Sequence, residues 1–376
     1  MEKKNLLPYD FNPTIYKNLN SDLSHMNKEE LIKHYINYGI NENRKYKYKY
    51  NLPIDFNPYI YKNYYDDILN LSDEDLKKHY FLNGFIEGRL YNLPYNFNYN
   101  IYKSLNNDLQ NLSESDLINH YIVHGFKENR EYSNNINYNI NDKINFIDSI
   151  VWINLIKSEN RKKNMNNILN NITIPNIRLN AVNGENLSFY KLINLEYESR
   201  ELSKYEIACT LSHIKAIYKL KNIEGKYFMV CEDDISFNNL KYFKKNLKDI
   251  ILESPDFDIL LLNKICDEEI NDMYIRWENS KKDIYSTASY IISKKCVEKI
   301  CNFVDYNNMN TFIFHKKINV ADIFIYKYVN TYVYKYNFID INIYDSTINN
   351  SSEKKNLLIN NSIKELNLIK KDKDFI

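Results

Sequence analysis

The residues best placed to do chemistry are three consecutive carboxylates, Glu232, Asp233 and Asp234, directly after the apolar run 227–231 (YFMVC). A run of that length and composition predicts a buried strand. In open parallel sheets, ligands bind beyond the carboxyl ends of strands. Three adjacent carboxylates are too costly to bury there uncompensated, so a cation or solvent must balance them. Oxygen donors of this kind suit Mg²⁺ or Mn²⁺, held by one or two carboxylates together with substrate phosphates. The triplet reads equally as a solvated acidic turn that caps the next helix.

The elements that would position the triplet begin near Ile147, where strand-like apolar runs start to alternate with helical patterns, which is α/β grammar. The segment 149–156 (SIVWINLI) has buried-strand length, and 177–182 forms a second strand closed by the turn Asn183-Gly184. Residues 204–222 predict a helix with Ile207, Leu211, Ile214 and Tyr218 on one face. A lysine-rich amphipathic helix over about 239–253 leads to a strand at 258–262, and another strand-helix pair falls within 289–304.

Upstream the texture differs, because residues 1–132 repeat. Phe11, Phe56 and Phe97 open three segments, about 9–50, 54–93 and 95–132, and Tyr16, Tyr61 and Tyr102 follow at equal offsets. His34-Tyr35, His79-Tyr80 and His120-Tyr121 recur, as do Gly39, Gly84, Gly125 and Arg44, Arg89, Arg130. Asn27, Ser72 and Ser113 stand at N-cap positions, with Glu30, Asp75 and Asp116 three residues on. The glycine in each segment fits a left-handed helix end. The repeated His reads as a packed, hydrogen-bonded residue in preference to a ligand, and Glu42, Glu87 and Glu128 as local partners of each Arg. These units resemble short tandem repeats found beside carbohydrate-modifying domains, which implies binding or spacing. The polar, Asn-rich stretch 133–146 reads as a linker, and 349–376 as a polar C-terminal tail, partly disordered or ending in one loose helix.

Lys+Arg 50 against Asp+Glu 49 removes any global electrostatic case for nucleic acid. The sequence has no signal-peptide pattern and no apolar stretch of membrane-span length. Five cysteines, odd in number and without a C-x-x-C pair, fit a reduced cytoplasmic protein.

Six blocks, in order, resemble glycosyltransferase family 25, the group containing bacterial lipopolysaccharide and collagen galactosyltransferases. They are V-W-I-N-L-I-K-S-E-N-R-K from Val151, N-A-V-N-G from Asn180, E-I-A-C-T-L-S-H from Glu206, M-V-C-E-D-D from Met229, T-A-S-Y-I-I-S from Thr287, and D-S-T-I from Asp345. The resemblance spans a domain of about 147–348 and none of the repeats. It implies a GT-A-type fold, a divalent cation (Mn²⁺ or Mg²⁺), and inverting transfer of galactose or glucose from a nucleotide-diphosphate sugar, UDP-hexose foremost, to a glycan or protein hydroxyl.

On that resemblance Asp234 is the metal-facing carboxylate, with Glu232 beside it on the metal and Asp233 ordering the metal shell or ribose hydroxyls. Asn154, Asn183, Gly184 and Arg161 fall where the donor nucleotide is expected. Arg161 reads equally as a phosphate partner or a surface helix residue. Ser212 and His213 are donor-site candidates whose alternative is a packed supporting role. Asp322 is the first choice of general base, although it could equally cap a helix, and the segment Asn319-Val320-Ala321-Asp322 lacks the family's usual proline. A rival reading is a non-catalytic glycan- or protein-binding protein with a degenerate transferase domain. A metal-dependent phosphoryl enzyme is a second rival, weakened by the lack of a Gly-rich phosphate loop.

Overall fold

A computed structural model describes residues 7–8, 11, 13–46, 51–94, 97–132, 139–266, 269–279, 284–307, 310–342 and 352–372. The chain divides into two compact units, Met1–Asn51 and Leu52–Ile376. The sequence places the boundary within 133–146 instead. The D-S-T-I block at Asp345 lies outside the described residues.

The first unit contains helices α1 (Pro13–Leu19) and α2 (Lys28–His34). The second opens with two segments of the same element order, α3 (Pro58–Tyr64) with α4 (Asp73–His79), and α5 (Tyr99–Leu105) with α6 (Glu114–His120). Asn27, Ser72 and Ser113 cap α2, α4 and α6 by accepting from the backbone N–H of Glu30, Asp75 and Asp116. Inside each segment a Tyr hydroxyl meets a His Nδ1: Tyr16 and His34 at 3.0 Å, Tyr61 and His79 at 2.8 Å, Tyr102 and His120 at 2.9 Å. Each Arg binds the Glu two residues before it, and also an Asp that the sequence reading did not pair with it: Asp22, Asp67 or Asp108.

The glycines differ from expectation. Gly39, Gly84 and Gly125 end a right-handed π-helical turn, and the left-handed residue comes four positions later, at Asn43, Gly88 and Asn129. Glycine is required for space: a Cβ at Gly39, Gly84 or Gly125 would overlap the hydroxyl of Tyr16, Tyr61 or Tyr102.

The rest of the second unit is an α/β domain. In chain order it comprises α7 (Ile140–Ile144), β1 (Ser149–Asn154), α8 (Glu159–Leu169), β2 (Asn176–Asn180), β3 (Lys191–Ile193), α9 (Lys204–Leu220), β4 (Tyr227–Glu232) and β5 (Ile235–Ser236). There follow α10 (Leu247–Glu253), β6 (Ile259–Leu261), β7 (Tyr274–Arg276), β8 (Ser289–Ser293), α11 (Lys294–Cys301), β9 (Val304–Asn307), β10 (Thr311–Phe314), α12 (Ala321–Tyr326), β11 (Thr331–Tyr334), β12 (Asp340–Ile341) and α13 (Ser352–Lys371).

Seven strands form the main sheet in the order β2-β1-β4-β8-β6-β11-β7. Strands β2, β1 and β4 run parallel, but β8 lies antiparallel between β4 and β6, so the sheet is mixed. Because side chains alternate along a strand, the sheet buries both faces. Val151, Ile153, Phe228, Val230, Tyr290 and Ile292 point into a core shared with α9, α11 and α12. Ile150, Trp152, Met229, Cys231 and Ile291 point into a second core shared with α7, α8 and α10.

Three stretches depart from the sequence reading. The helix expected at 239–253 is a 3₁₀ turn, Asn238–Tyr242, followed by α10, because Asn246 and Asp249 form a capping box that starts a new helix. Within the expected linker, α7 packs Ile144 into the second core. The expected polar tail is the 20-residue α13, whose Ile359, Ile363, Leu366 and Ile369 recur at helical spacing and are buried. Glu365 of the same helix pairs with Lys264 at 2.6 Å, both buried. Farther along the helix, Asn367 donates to the Leu52 carbonyl, and Lys370 meets Asp55 and Tyr91.

Candidate active site

The site lies where parallel strands β1 and β4 end side by side. Ile153 is in register with Glu232, and each strand is buried by its apolar run until it reaches polar residues at its last position, Asn154 and Glu232. Asn154 is buried and uses both ends of its amide: Nδ2 donates to Asp233 Oδ2 at 2.5 Å, and Oδ1 accepts from Arg178 Nε and Nη2 at 2.9 and 2.6 Å. Arg161, in the first turn of α8 after its N-cap Ser158, donates to Asp233 Oδ1 at 2.9 Å and stands 3.5 Å from Asp234 Oδ2. Asp233 therefore has both oxygens engaged. Arg161, on a helix as expected, is paired and 18% exposed.

Glu232 turns the other way, toward α9 and the loop before β8. Its Oε1 accepts from Thr287 Oγ1 at 2.7 Å and lies 3.5 Å from His213 Nε2. The imidazole is 1% exposed, its Nδ1 is 3.2 Å from the Tyr290 hydroxyl, and its Nε2 makes no hydrogen bond. The 3.5 Å approach to Glu232 is an ion-pair distance and falls short of a good hydrogen bond.

Electrostatics separate the three acids. For Asp234, burial and then the charge of Glu232 push the carboxyl up to about 8, and its Oδ1 is buried without a hydrogen-bond partner. Burial also works to raise Glu232, but the contacts from His213, Thr287 and Arg161 overcome it and hold it below the ordinary carboxylate range. Burial raises Asp233 against the pull of Asn154 and Arg161. Near neutrality the cluster thus keeps one charge on Glu232 while a proton is favoured on Asp234, the usual outcome when like charges crowd a dry site.

An open cleft runs along this edge. Arg161, Asn183, Gly184, Ser212, His213, Glu232 and Asp233 line it, together with Cys209 and Tyr205; Asn154, Asp234 and Asp322 are not among its lining residues. Ser212 is a brace: its Oγ accepts from the Val182 N–H at 2.8 Å and donates to the Ala208 carbonyl at 2.7 Å, tying the 182–184 turn to α9. Gly184 permits that approach, since a Cβ there would stand 2.7 Å from the Tyr205 ring and 2.9 Å from the Lys204 carbonyl. Asn183 accepts from the Glu185 N–H and starts the following 3₁₀ turn.

Asp322 does not cap α12, whose N-cap is Val320. It sits in the first turn, where burial raises its carboxyl pKa and the charge of Glu232 raises it further. Charge interaction joins it to the cluster, with no direct contact to the other site residues among the described hydrogen bonds. Arg178, Thr287 and Tyr290 belong to the site and had no assigned role. Thr287 and Tyr290 lay inside a recognised block, whereas Arg178, in a short half-exposed strand, carries no signal of its own.

Residues 147–313 match the family model for glycosyltransferase family 25 (LPS biosynthesis protein). A glycosyltransferase 25 family member of Drosophila pseudoobscura pseudoobscura is 23% identical over 163 residues, 39% of this chain and 26% of the relative. One from Drosophila melanogaster is 25% identical over 157 residues, 38% and 25% of the two chains. Human procollagen galactosyltransferase 2 is 34% identical over 116 residues, 28% and 18%. The matches thus span about a quarter or less of these relatives' length. Among solved structures, the inositol-1-phosphate CTP transferase from T. maritima aligns over 58% of this chain and 97% of its own, with 10% identity and a TM-score of 0.28. Among the described residues no helix is long and apolar enough to cross a membrane. Over residues 147–313, then, the chain resembles glycosyltransferase family 25.

Proposed function

We propose that this domain, on a GT-A-type fold, moves a hexose from a nucleotide-diphosphate sugar to a hydroxyl acceptor with inversion at the anomeric carbon. The observation that carries the reading is that the family match covers the strand end where Glu232 and Asp233 line a cleft. The name of the human relative supports galactose as the sugar and a protein as one acceptor class; UDP-hexose is the donor we favour.

The residues present fit a divalent cation. Glu232 and Asp234 offer hard oxygen donors, and the buried Asp234 Oδ1 lacks any partner of its own. Glu232 and Asp234 would hold Mn²⁺ or Mg²⁺, which when bound supplies charge neutralisation for the departing diphosphate. Arg161, fixed on Asp233, keeps a guanidinium on the cleft wall for the phosphates. Asn183 and Gly184, braced by Ser212, form the turn that supports the nucleotide. Asp322, with its raised pKa, is a stronger base than an exposed carboxylate and takes the acceptor proton. The three N-terminal segments, as tandem repeats, hold or space the acceptor.

A mass-spectrometric screen of sugar nucleotides with Mn²⁺, run on wild type and Asp234→Ala together, tests the proposal. Transfer by wild type that drops at least a hundredfold in the variant is expected. No transfer from any donor, or full activity in Asp234→Ala, removes the reading.

A further inference from the structure

The cleft holds a second group of ligand atoms, which shares Glu232 with the proposed Mn²⁺ or Mg²⁺ site and adds Cys209 and His213. Cys209 and His213 lie four residues apart on α9, hence on one face. Cys209 Sγ, a His213 ring nitrogen and a Glu232 carboxylate oxygen all lie within 4.8 Å of one another. We propose that Cys209, His213 and Glu232 bind a borderline-soft divalent cation of the Zn²⁺ type, with its fourth position open to the cleft.

The imidazole carries the inference. It is 1% exposed, yet its Nε2 makes no hydrogen bond, and a nitrogen left bare in so dry a place forfeits free energy unless something binds it. The Tyr290 hydroxyl at Nδ1 can accept that nitrogen's proton, which leaves the Nε2 lone pair facing Glu232. Metal-bound histidines are oriented in this way through their other nitrogen. Thr287 orients the carboxylate in turn, by its 2.7 Å bond to Oε1. The 3.5 Å between Nε2 and Oε1 suits two ligands of one tetrahedral ion, whose bonds of ~2.0–2.1 Å set such edges at roughly 3.4 Å. A thiolate and an imidazole select Zn²⁺-type cations over Mg²⁺ or Mn²⁺. All three residues line the cleft, so three protein ligands leave one position for water or a bound molecule, as in open zinc sites. Burial disfavours a free thiolate at Cys209, and bound metal would supply the compensating charge.

The test uses the full chain, stripped with a chelator and titrated with Co²⁺ and then Zn²⁺, without any sugar nucleotide. The expected result is a near-ultraviolet thiolate-to-Co²⁺ charge-transfer band that saturates at one equivalent and is abolished by one equivalent of Zn²⁺. Cys209→Ser should lose the band, Cys301→Ser on α11 should keep it, and His213→Gln should bind Zn²⁺ at least tenfold more weakly. Metal-free melting curves establish that each variant is folded. Absence of the band in folded wild type, or its survival in folded Cys209→Ser, overturns the site. Failure of Mn²⁺-supported sugar transfer would not, because the spectroscopic readout involves neither Mn²⁺ nor donor.

Discussion

Histidine is used in two ways in this molecule, and the contrast separates scaffold from site. In the N-terminal segments His34, His79 and His120 each meet a tyrosine hydroxyl at 2.8–3.0 Å, and each neighbouring Arg closes on an Asp and a Glu. At the end of β4 the polar atoms are left incomplete: His213 Nε2 and Asp234 Oδ1 are buried without hydrogen bonds, and two of three carboxyls are raised by burial. A protein tolerates unsatisfied buried groups where something else is meant to complete them. At this strand end the unpartnered atoms belong to ion-binding groups, unlike the buried, unpartnered Tyr64 hydroxyl of α3.

The largest expected effect breaks function on the unsatisfied side alone. Asp234→Ala should lower transfer about 10²–10³-fold, the scale of losing one charge-stabilising group, while the melting temperature stays level or rises, because a crowded carboxyl has been removed. A clear drop in melting temperature would place Asp234 with the scaffold.

A pH titration of stability sharpens the same contrast at Asp340. Burial raises its carboxyl to about 6, above the 3.8 of an unfolded aspartate. The native chain therefore keeps a proton that the unfolded chain releases between those values. This contribution is fully present below pH ~4 and is lost as pH rises through about 6, by roughly 2–3 kcal/mol. Denaturant midpoints across that window should show the slope in wild type, and Asp340→Asn should flatten it.

On the scaffold side, Gly84→Ala should cost about 2 kcal/mol, since the new methyl meets the Tyr61 hydroxyl and the segment must shift to admit it. Combining it with Tyr61→Phe should recover much of that loss in a double-mutant melt. The smallest effect is Tyr61→Phe alone, about 1 kcal/mol for one lost hydrogen bond to His79, with transfer unchanged.

Much of this was legible from residue type and spacing. The run YFMVC followed by Glu232, Asp233 and Asp234 announced both a buried strand and its polar end, and N-caps at Asn27, Ser72 and Ser113 follow from a local rule. What stayed hidden was set by tertiary approach. Nothing near Gly39 indicates that a tyrosine 23 residues earlier needs its missing side chain, so a helix-end role looked sufficient. Arg178 is recruited by Asn154 across the β1–β2 pairing, and an antiparallel β8 between parallel neighbours follows from no local pattern. The last helix was obscured because its apolar stripe is diluted by Asn, Lys and Ser.

That last helix also sets an order of assembly. The ammonium of Lys264 finds its counter-charge on Glu365, a hundred residues downstream, and a lone cation in that position is strongly unfavourable. As the polypeptide emerges from the ribosome, the central sheet can be synthesised in full while this corner still admits water. Only when Glu365 arrives can the nascent domain close this corner, so a chain cut short before it would have its strands paired and its floor open.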